Sequence, residues 1–160
     1  RDKVIKELRQ TGKEDATQDG MDISLIRLDL QGLKNLEGTA GVQLQWAGAN
    51  NPFNLIQNGQ FREITGDKQP IGWYPKTKLF TNHEIQLQKG ECLYIFSDGY
   101  ADQFGGPKGK KFRYRQLEEL VLANHHLPMT EQKALLKKTF IDWVGNLEQI
   151  DDVCVIGVRL

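Results

Sequence analysis

Apolar residues recur in short alternating runs through the first hundred positions and at helical spacing after them. Val4, Ile5 and Leu8 fall at helical spacing within RDKVIKELRQTGKED, which predicts an amphipathic helix at the start. DATQDG (15–20) reads as a polar turn. Asp22 to Leu30 is apolar and β-branched enough for a strand, with Ile26, Leu28 and Leu30 on one face. Residues 31–40 read as turn-like. Val42, Leu44 and Trp46 alternate with Gln43, Gln45 and Ala47, the pattern of a half-buried strand that Gly48-Ala49-Asn50-Asn51-Pro52 ends.

FNLIQ and QFREIT flank Asn58-Gly59, a dipeptide suited to the positive φ values of a type I′ hairpin turn. Ile85 and Leu87 mark a further strand. Lys89-Gly90 then leads into CLYIF (92–96), which is apolar on both faces and so predicts a central strand. A helix over 114–124 presents Leu117, Leu120 and Val121 inward. A second over 131–144 takes Thr130 as N-cap and buries Leu135, Leu136, Phe140, Ile141 and Trp143. Gly145 is its stop, and DVCVIGVRL (152–160) is a closing strand. Helix, several strands, two helices and a strand do not alternate as βαβ units. The order predicts an α+β fold with layered antiparallel sheets.

The 160 residues suggest one domain with a real core. Lys and Arg together number 21, as do Asp and Glu, so the chain is neutral, which argues against a dedicated nucleic-acid binder. No run approaches the ~18 apolar residues of a membrane span, and no signal-peptide pattern opens the chain. Cys92 and Cys154 lie in apolar, strand-like runs and read as buried thiols in a reducing compartment. Neither joins a Cys/His cluster, so no zinc site is expected. The chain opens inside a helical pattern without Met, and reads as a fragment of a longer protein.

Two acidic positions stand out. Asp98 follows CLYIFS, and Asp151-Asp152 precede VCVIGV. If these two strands pair antiparallel, the end of one lies beside the start of the other and the carboxylates meet at one sheet edge. Clustered carboxylates are hard oxygen donors suited to Mg²⁺ or Mn²⁺. Asp is also common at strand ends and turns, with no ligand at all. Asp151 and Asp152 point to opposite faces of an extended chain, so at most one is a direct ligand. GGPKGKK (105–111) fails as a phosphate loop, because Gly105 and Gly109 are one residue too close and Lys111 stands at the Ser/Thr position. It reads either as a flexible basic flap that attracts an anionic substrate or as a solvated loop. His125-His126 and His83 have no partners for a metal or a triad, and Ser97 lacks the G-x-S-x-G context. Trp46, Trp73 and Trp143 read as core residues.

GMDISLIRLD (20–29), LQWAGANNP (44–52), QPIGW (69–73), LYIFSDGYADQFGG (93–106) and QIDDVCVIGV (149–158) occur in that order. The series resembles the C-terminal two-thirds of bacterial PPM-type serine/threonine phosphatase domains of the SpoIIE class. The finer wording is similar to versions attached to sensor modules in Bacteroidetes-type signalling proteins. The resemblance implies an α-β-β-α sandwich of two antiparallel sheets with its N-terminal part missing. It implies hydrolysis of phosphoserine or phosphothreonine on a partner protein by water activated between two Mn²⁺ or Mg²⁺ ions.

Carried over residue by residue, Asp98 matches one metal-ligand aspartate and Asp151 the last one. Asp152 is supporting, and Gly99 lets the chain turn close to the site. The segment 102–112 corresponds to a variable loop beside the substrate entrance. The family's earlier Gly-Asp-φ-φ-Asp and Asp-x-x-Gly-x-Gly segments do not occur in this sequence, so half the metal carboxylates are lacking and weak activity is expected. The implied partners are a phosphorylated protein, with an anti-sigma-factor antagonist-like protein as one candidate, and an upstream sensor domain, with no nucleic acid. The implied compartment is cytoplasmic, with a parent chain open to membrane attachment. Exposed sheet edge is expected to favour self-association. The alternative is a non-catalytic α+β sensor or interaction module that keeps the sheet without a complete metal site.

Overall fold

A computed structural model describes residues 1–12, 19–29 and 41–160. The element order is α1 (Asp2–Glu7), β1 (Ile23–Leu28), β2 (Val42–Ala49), β3 (Phe53–Gln57), β4 (Gln60–Ile64), β5 (His83–Leu87), β6 (Cys92–Phe96), α2 (Gly99–Asp102), β7 (Phe104–Gly105), β8 (Lys110–Lys111), α3 (Tyr114–Asn124), α4 (Met129–Val144) and β9 (Val155–Arg159). The chain divides into two units, one of residues 1–53 with 63–88, the other of 54–62 with 89–160.

The first unit carries a three-stranded antiparallel sheet in the order β1-β2-β5. The alternation read from β2 holds: Val42, Leu44 and Trp46 are buried while Gln43 is exposed. Trp46 is paired with Ile26 on one side and His83 on the other. Its ring lies 5.1 Å from that of His83 and 5.6 Å from that of Phe53. Its Nε1 donates to Ser24 Oγ at 2.7 Å, which satisfies the buried indole. His83 therefore has a partner that the sequence does not reveal.

The second unit carries most of a four-stranded sheet in the order β4-β3-β6-β9, so β6 is an inner strand and β9 an edge. Asn58 and Gly59, at φ 50° and 71°, turn β3 into β4 as their type I′ signature predicts. One core cluster joins Ile56, Tyr94 and Phe96 of the sheet to Leu117 and Val121 of α3 and Leu136 of α4. Burying side chains of this size contributes about 1.5–3 kcal/mol each relative to exposure. Helix α3 matches its sequence pattern, with Leu120 partly buried. Arg159 closes its far end, with its guanidinium donating to the His125 and Leu127 carbonyls.

Several details differ from the sequence reading. Helix α4 starts at Met129, two residues before the expected 131, so Thr130 lies inside it. Pro128 is its N-cap, with ψ 146° and a carbonyl that accepts from the Glu131 and Gln132 N–H groups. Ile141 is 55% exposed, because the buried stripe of α4 is narrower than its apolar spacing. Gln132, in contrast, is buried there; it accepts from the Tyr94 hydroxyl at 2.7 Å and donates to the His125 and Leu127 carbonyls. Leu8 lies past the end of α1 and is exposed. Cys92 is buried and Cys154 exposed, and both are free thiols. Cys154 lies one residue before β9 and outside the paired strand. Leu30, the 31–40 turn and most of DATQDG fall outside the described residues. Among those described, no helix is long and apolar enough to cross a membrane.

Tyr94 and Tyr100 carry buried hydroxyls, the latter donating to the Leu136 carbonyl at 2.9 Å. Burial pushes both phenols well above their ordinary value, and the neighbouring Cys92 adds to the shift of Tyr94. The folded state then favours the neutral phenol. Its contribution is complete below about pH 10, the unfolded value, and is lost as pH rises above it. The urea midpoint should therefore fall between pH 8 and pH 11, and fall less in Tyr100→Phe. An equal fall in both proteins would remove Tyr100 from this account.

Candidate metal centre

Strands β6 and β9 pair antiparallel from Cys92↔Arg159 to Phe96↔Val155. The C-terminal end of CLYIF thus lies beside the start of VIGVR, the arrangement that the two acidic strand ends require. Ser97 continues the contact past the last register pair. Its N–H donates to the Cys154 carbonyl at 2.9 Å. Its Oγ accepts from the Cys154 N–H at 2.8 Å and donates to the Asp152 carbonyl at 2.9 Å. Ser97 therefore makes three bonds to Asp152 and Cys154, one from its N–H and two at its hydroxyl. Each such bond contributes about 1 kcal/mol net.

Gly99 brings the two segments closer still. A Cβ placed there would lie 2.4 Å from the Asp152 carbonyl oxygen and 3.3 Å from the Asp151 carbonyl carbon. The glycine is required by proximity to this peptide. Asp98 is the N-cap of the short α2, makes no side-chain capping bond and is exposed. Asp151 and Asp152 are exposed as well. Asp151 Oδ1 accepts from the Asp152 N–H at 2.7 Å, and the Asp151 carbonyl accepts from Gln149 Nε2 at 2.7 Å. The backbone of Asp98-Gly99 and that of Asp151-Asp152 are thus brought together at the open end of the β6/β9 pair.

The residues after Asp102 form a short ribbon, β7 paired with β8, in place of a flexible flap. Gly105 and Gly106 lie on Trp143: a Cβ on Gly105 would meet the Trp143 carbonyl oxygen at 1.9 Å, and the Gly106 N–H donates to that carbonyl at 2.8 Å. Asp102 and Lys111 close the ribbon with a 3.0 Å ion pair. This pair is half exposed and worth little. Gln103, fully buried between α2 and β7, bonds to the Phe104, Glu148 and Ile150 backbone. Neither Ser97 nor Gln103 stands out as a site residue in the sequence. Ser97 has a weak signal, a hydroxyl directly after an apolar strand and directly before the aspartate. Gln103 has none.

The donor chemistry fits part of a divalent-cation site. Asp98 and Asp151 offer hard carboxylate oxygens with solvent access, which suits Mg²⁺ or Mn²⁺. Among the described residues, no group of three or more His, Cys, Asp or Glu is gathered for a metal. His125 instead places Nδ1 2.6 Å from the Leu122 carbonyl.

A family model described as Stage II sporulation protein E (SpoIIE) matches residues 35–160. The chain belongs to the SpoIIE family. The SiaA-PP2C domain of Pseudomonas aeruginosa is similar at a TM-score of 0.73 and 26% identity, over 87% of this chain and 51% of that one. The phosphatase domain of the cell fate determinant SpoIIE from Bacillus subtilis, presoaked with Mn, is similar at a TM-score of 0.61 and 18% identity, over 99% of this chain and 70% of that one. A crystal form of that domain without domain swapping gives 0.57 and 20%. The mixed α+β fold with antiparallel sheets is that of these PP2C-type phosphatase domains. The chain spans about half the length of the SiaA domain it matches. No curated protein matches.

In this SpoIIE-family chain, Gly99→Ala should force the Asp152 peptide away from Asp98. Overpacking of this kind costs about 1–3 kcal/mol. Urea unfolding should show the loss, and amide exchange should show a faster Cys154 N–H. Unchanged stability together with unchanged Cys154 protection would contradict the close approach.

Proposed function

We propose that the chain is part of a metal-dependent protein serine/threonine phosphatase domain acting in bacterial, cytoplasmic signal transduction. The observation that carries this reading is the β6/β9 pairing, which sets Asp98 beside Asp151-Asp152. Family membership and the likeness to PP2C-type phosphatase domains support it. Asp98 and Asp151 are the metal ligands of this reading. Asp152 supports them, with its N–H held by Asp151 Oδ1 and its carbonyl by Ser97.

Bound there with ligands supplied elsewhere in the intact domain, two Mn²⁺ or Mg²⁺ ions would lower the pKa of a water and neutralise the transferring phosphoryl. The chain's own contribution is to bring together the backbone that carries the two carboxylates, with both side chains open to solvent. The substrate is a phosphorylated protein, and the signal comes from a sensor module in the same parent chain. The ribbon of β7 and β8, with Lys108, Lys110 and Lys111, adds positive charge close in sequence to Asp102 and Gln103.

The 160 residues contain no Gly-Asp-φ-φ-Asp or Asp-x-x-Gly-x-Gly segment. Two carboxylates alone hold Mg²⁺ weakly. Hydrolysis of p-nitrophenyl phosphate with Mn²⁺ should therefore be slow. Calorimetry should show weak Mn²⁺ binding that Asp98→Asn or Asp151→Asn reduces at least about tenfold, with the fold retained. Robust turnover by the 160-residue chain would contradict the expected weak activity, and Mn²⁺ binding indifferent to both substitutions would overturn the reading.

A further inference from the structure

We infer that Gln103 is a positioning residue that sets Asp151 relative to Asp98. This rests on the reading of those two aspartates as metal ligands. Gln103 follows directly on α2, the single helical turn that Asp98 begins. Its side chain is completely buried. Nε2 donates to the Glu148 carbonyl at 2.8 Å and to the Phe104 carbonyl at 3.0 Å, and Oε1 accepts from the Ile150 N–H at 3.2 Å. The residue after Ile150 is Asp151.

The amide matches what the 148–150 segment offers. That segment turns a carbonyl and an N–H toward one point, and only a neutral amide supplies a donor and an acceptor at the same place. A glutamate would present acceptors and a buried charge, and a methionine would present neither. Either change leaves backbone groups unpaired, at about 1–3 kcal/mol each. Ser97 fixes the chain on the far side of the aspartates, at Asp152 and Cys154. Gln103 fixes it on the near side, at Glu148 and Ile150. Asp151 is held between two clasps, and both lead back to the segment that carries Asp98.

The main chain of Gln103 anchors the clamp itself. Its carbonyl accepts from Trp143 Nε1 at 3.0 Å and from the Phe112 N–H at 2.9 Å. A ligand pair must be held to within about 0.5 Å to bind well, so slack in residues 148–150 reads out as lost affinity before the fold is lost.

The test uses the full 160-residue chain, with Ile150 amide exchange by NMR and Mn²⁺ affinity by electron paramagnetic resonance. In Gln103→Met, Ile150 exchange should rise about tenfold while the Cys154 amide stays protected. Mn²⁺ affinity should fall about tenfold, the scale of a lost outer-shell partner. Val121→Ala opens the core cluster but belongs to neither clasp, and should leave Mn²⁺ affinity within about twofold whatever stability it costs. Should Gln103→Met fail to fold, Gln103→Asn keeps an amide one methylene too short and is measured in the same way. Unchanged Ile150 exchange overturns the clamp. Unchanged Mn²⁺ affinity in a variant whose Ile150 exchange has risen overturns the positioning role. A wild-type chain that takes up no Mn²⁺ overturns the metal reading instead, and Ile150 exchange alone then decides the clamp.

Discussion

Five residue pairs, from Cys92↔Arg159 to Phe96↔Val155, fix β6 against β9, and the site inherits its geometry from them. A ladder of this kind has no intermediate settings. A slip of one residue would send every side chain of β9 to the other face. It would also move Asp151 by about 3.4 Å along the strand direction. The buried residues of β6 set the register from below, since Tyr94 and Phe96 pack into the cluster with Leu117, Val121 and Leu136. Beyond the ladder, Ser97 takes over as a side-chain substitute for further strand pairing. The carboxylates can then sit exposed while the backbone that carries them is tied down.

The core and the site meet in a few residues with two duties. Trp143 packs against Phe112, at 5.1 Å between ring centres, and its carbonyl receives the Gly106 N–H. The glycines at 105 and 106 allow that approach, since any side chain would collide with the tryptophan. A stretch that resembles a phosphate loop in its glycines and lysines is thus shaped by contact with one aromatic residue. Its lysines remain on the surface, where one of them, Lys111, is paired with Asp102.

The sequence makes the placement of Asp98 and Asp151 at one end of the β6/β9 pair legible because each borders an apolar run, and strand ends of such runs are where polar residues meet solvent. It makes β2, the Asn58-Gly59 turn and α3 legible because one local rule decides each of them. Ser97 is less legible because its partners lie 55 and 57 residues away, and no local pattern marks a hydroxyl that binds across a sheet. Gln103 and Gln132 are hidden for a similar reason: a glutamine reads as surface, and both are buried because they satisfy backbone groups that a hydrocarbon could not. Ile141 shows the reverse case. Helical spacing puts it on the apolar side of α4, but spacing does not state how wide the covering layer is. Thr130 loses the N-cap to Pro128 because the proline's extended ψ and free carbonyl already start the helix.

On the proposed reading, one divalent ion is held by both strand ends at once. Paramagnetic line broadening by Mn²⁺ in the amide spectrum of the chain tests it most directly. Asp98, Gly99, Asp151 and Asp152 should broaden together at the lowest Mn²⁺ added. Cys92 and Arg159, about 13 Å beyond Phe96 and Val155 along the same strand pair, should broaden far less. Broadening at only one of the two segments, or first at the lysine ribbon or the histidine pair, would contradict it.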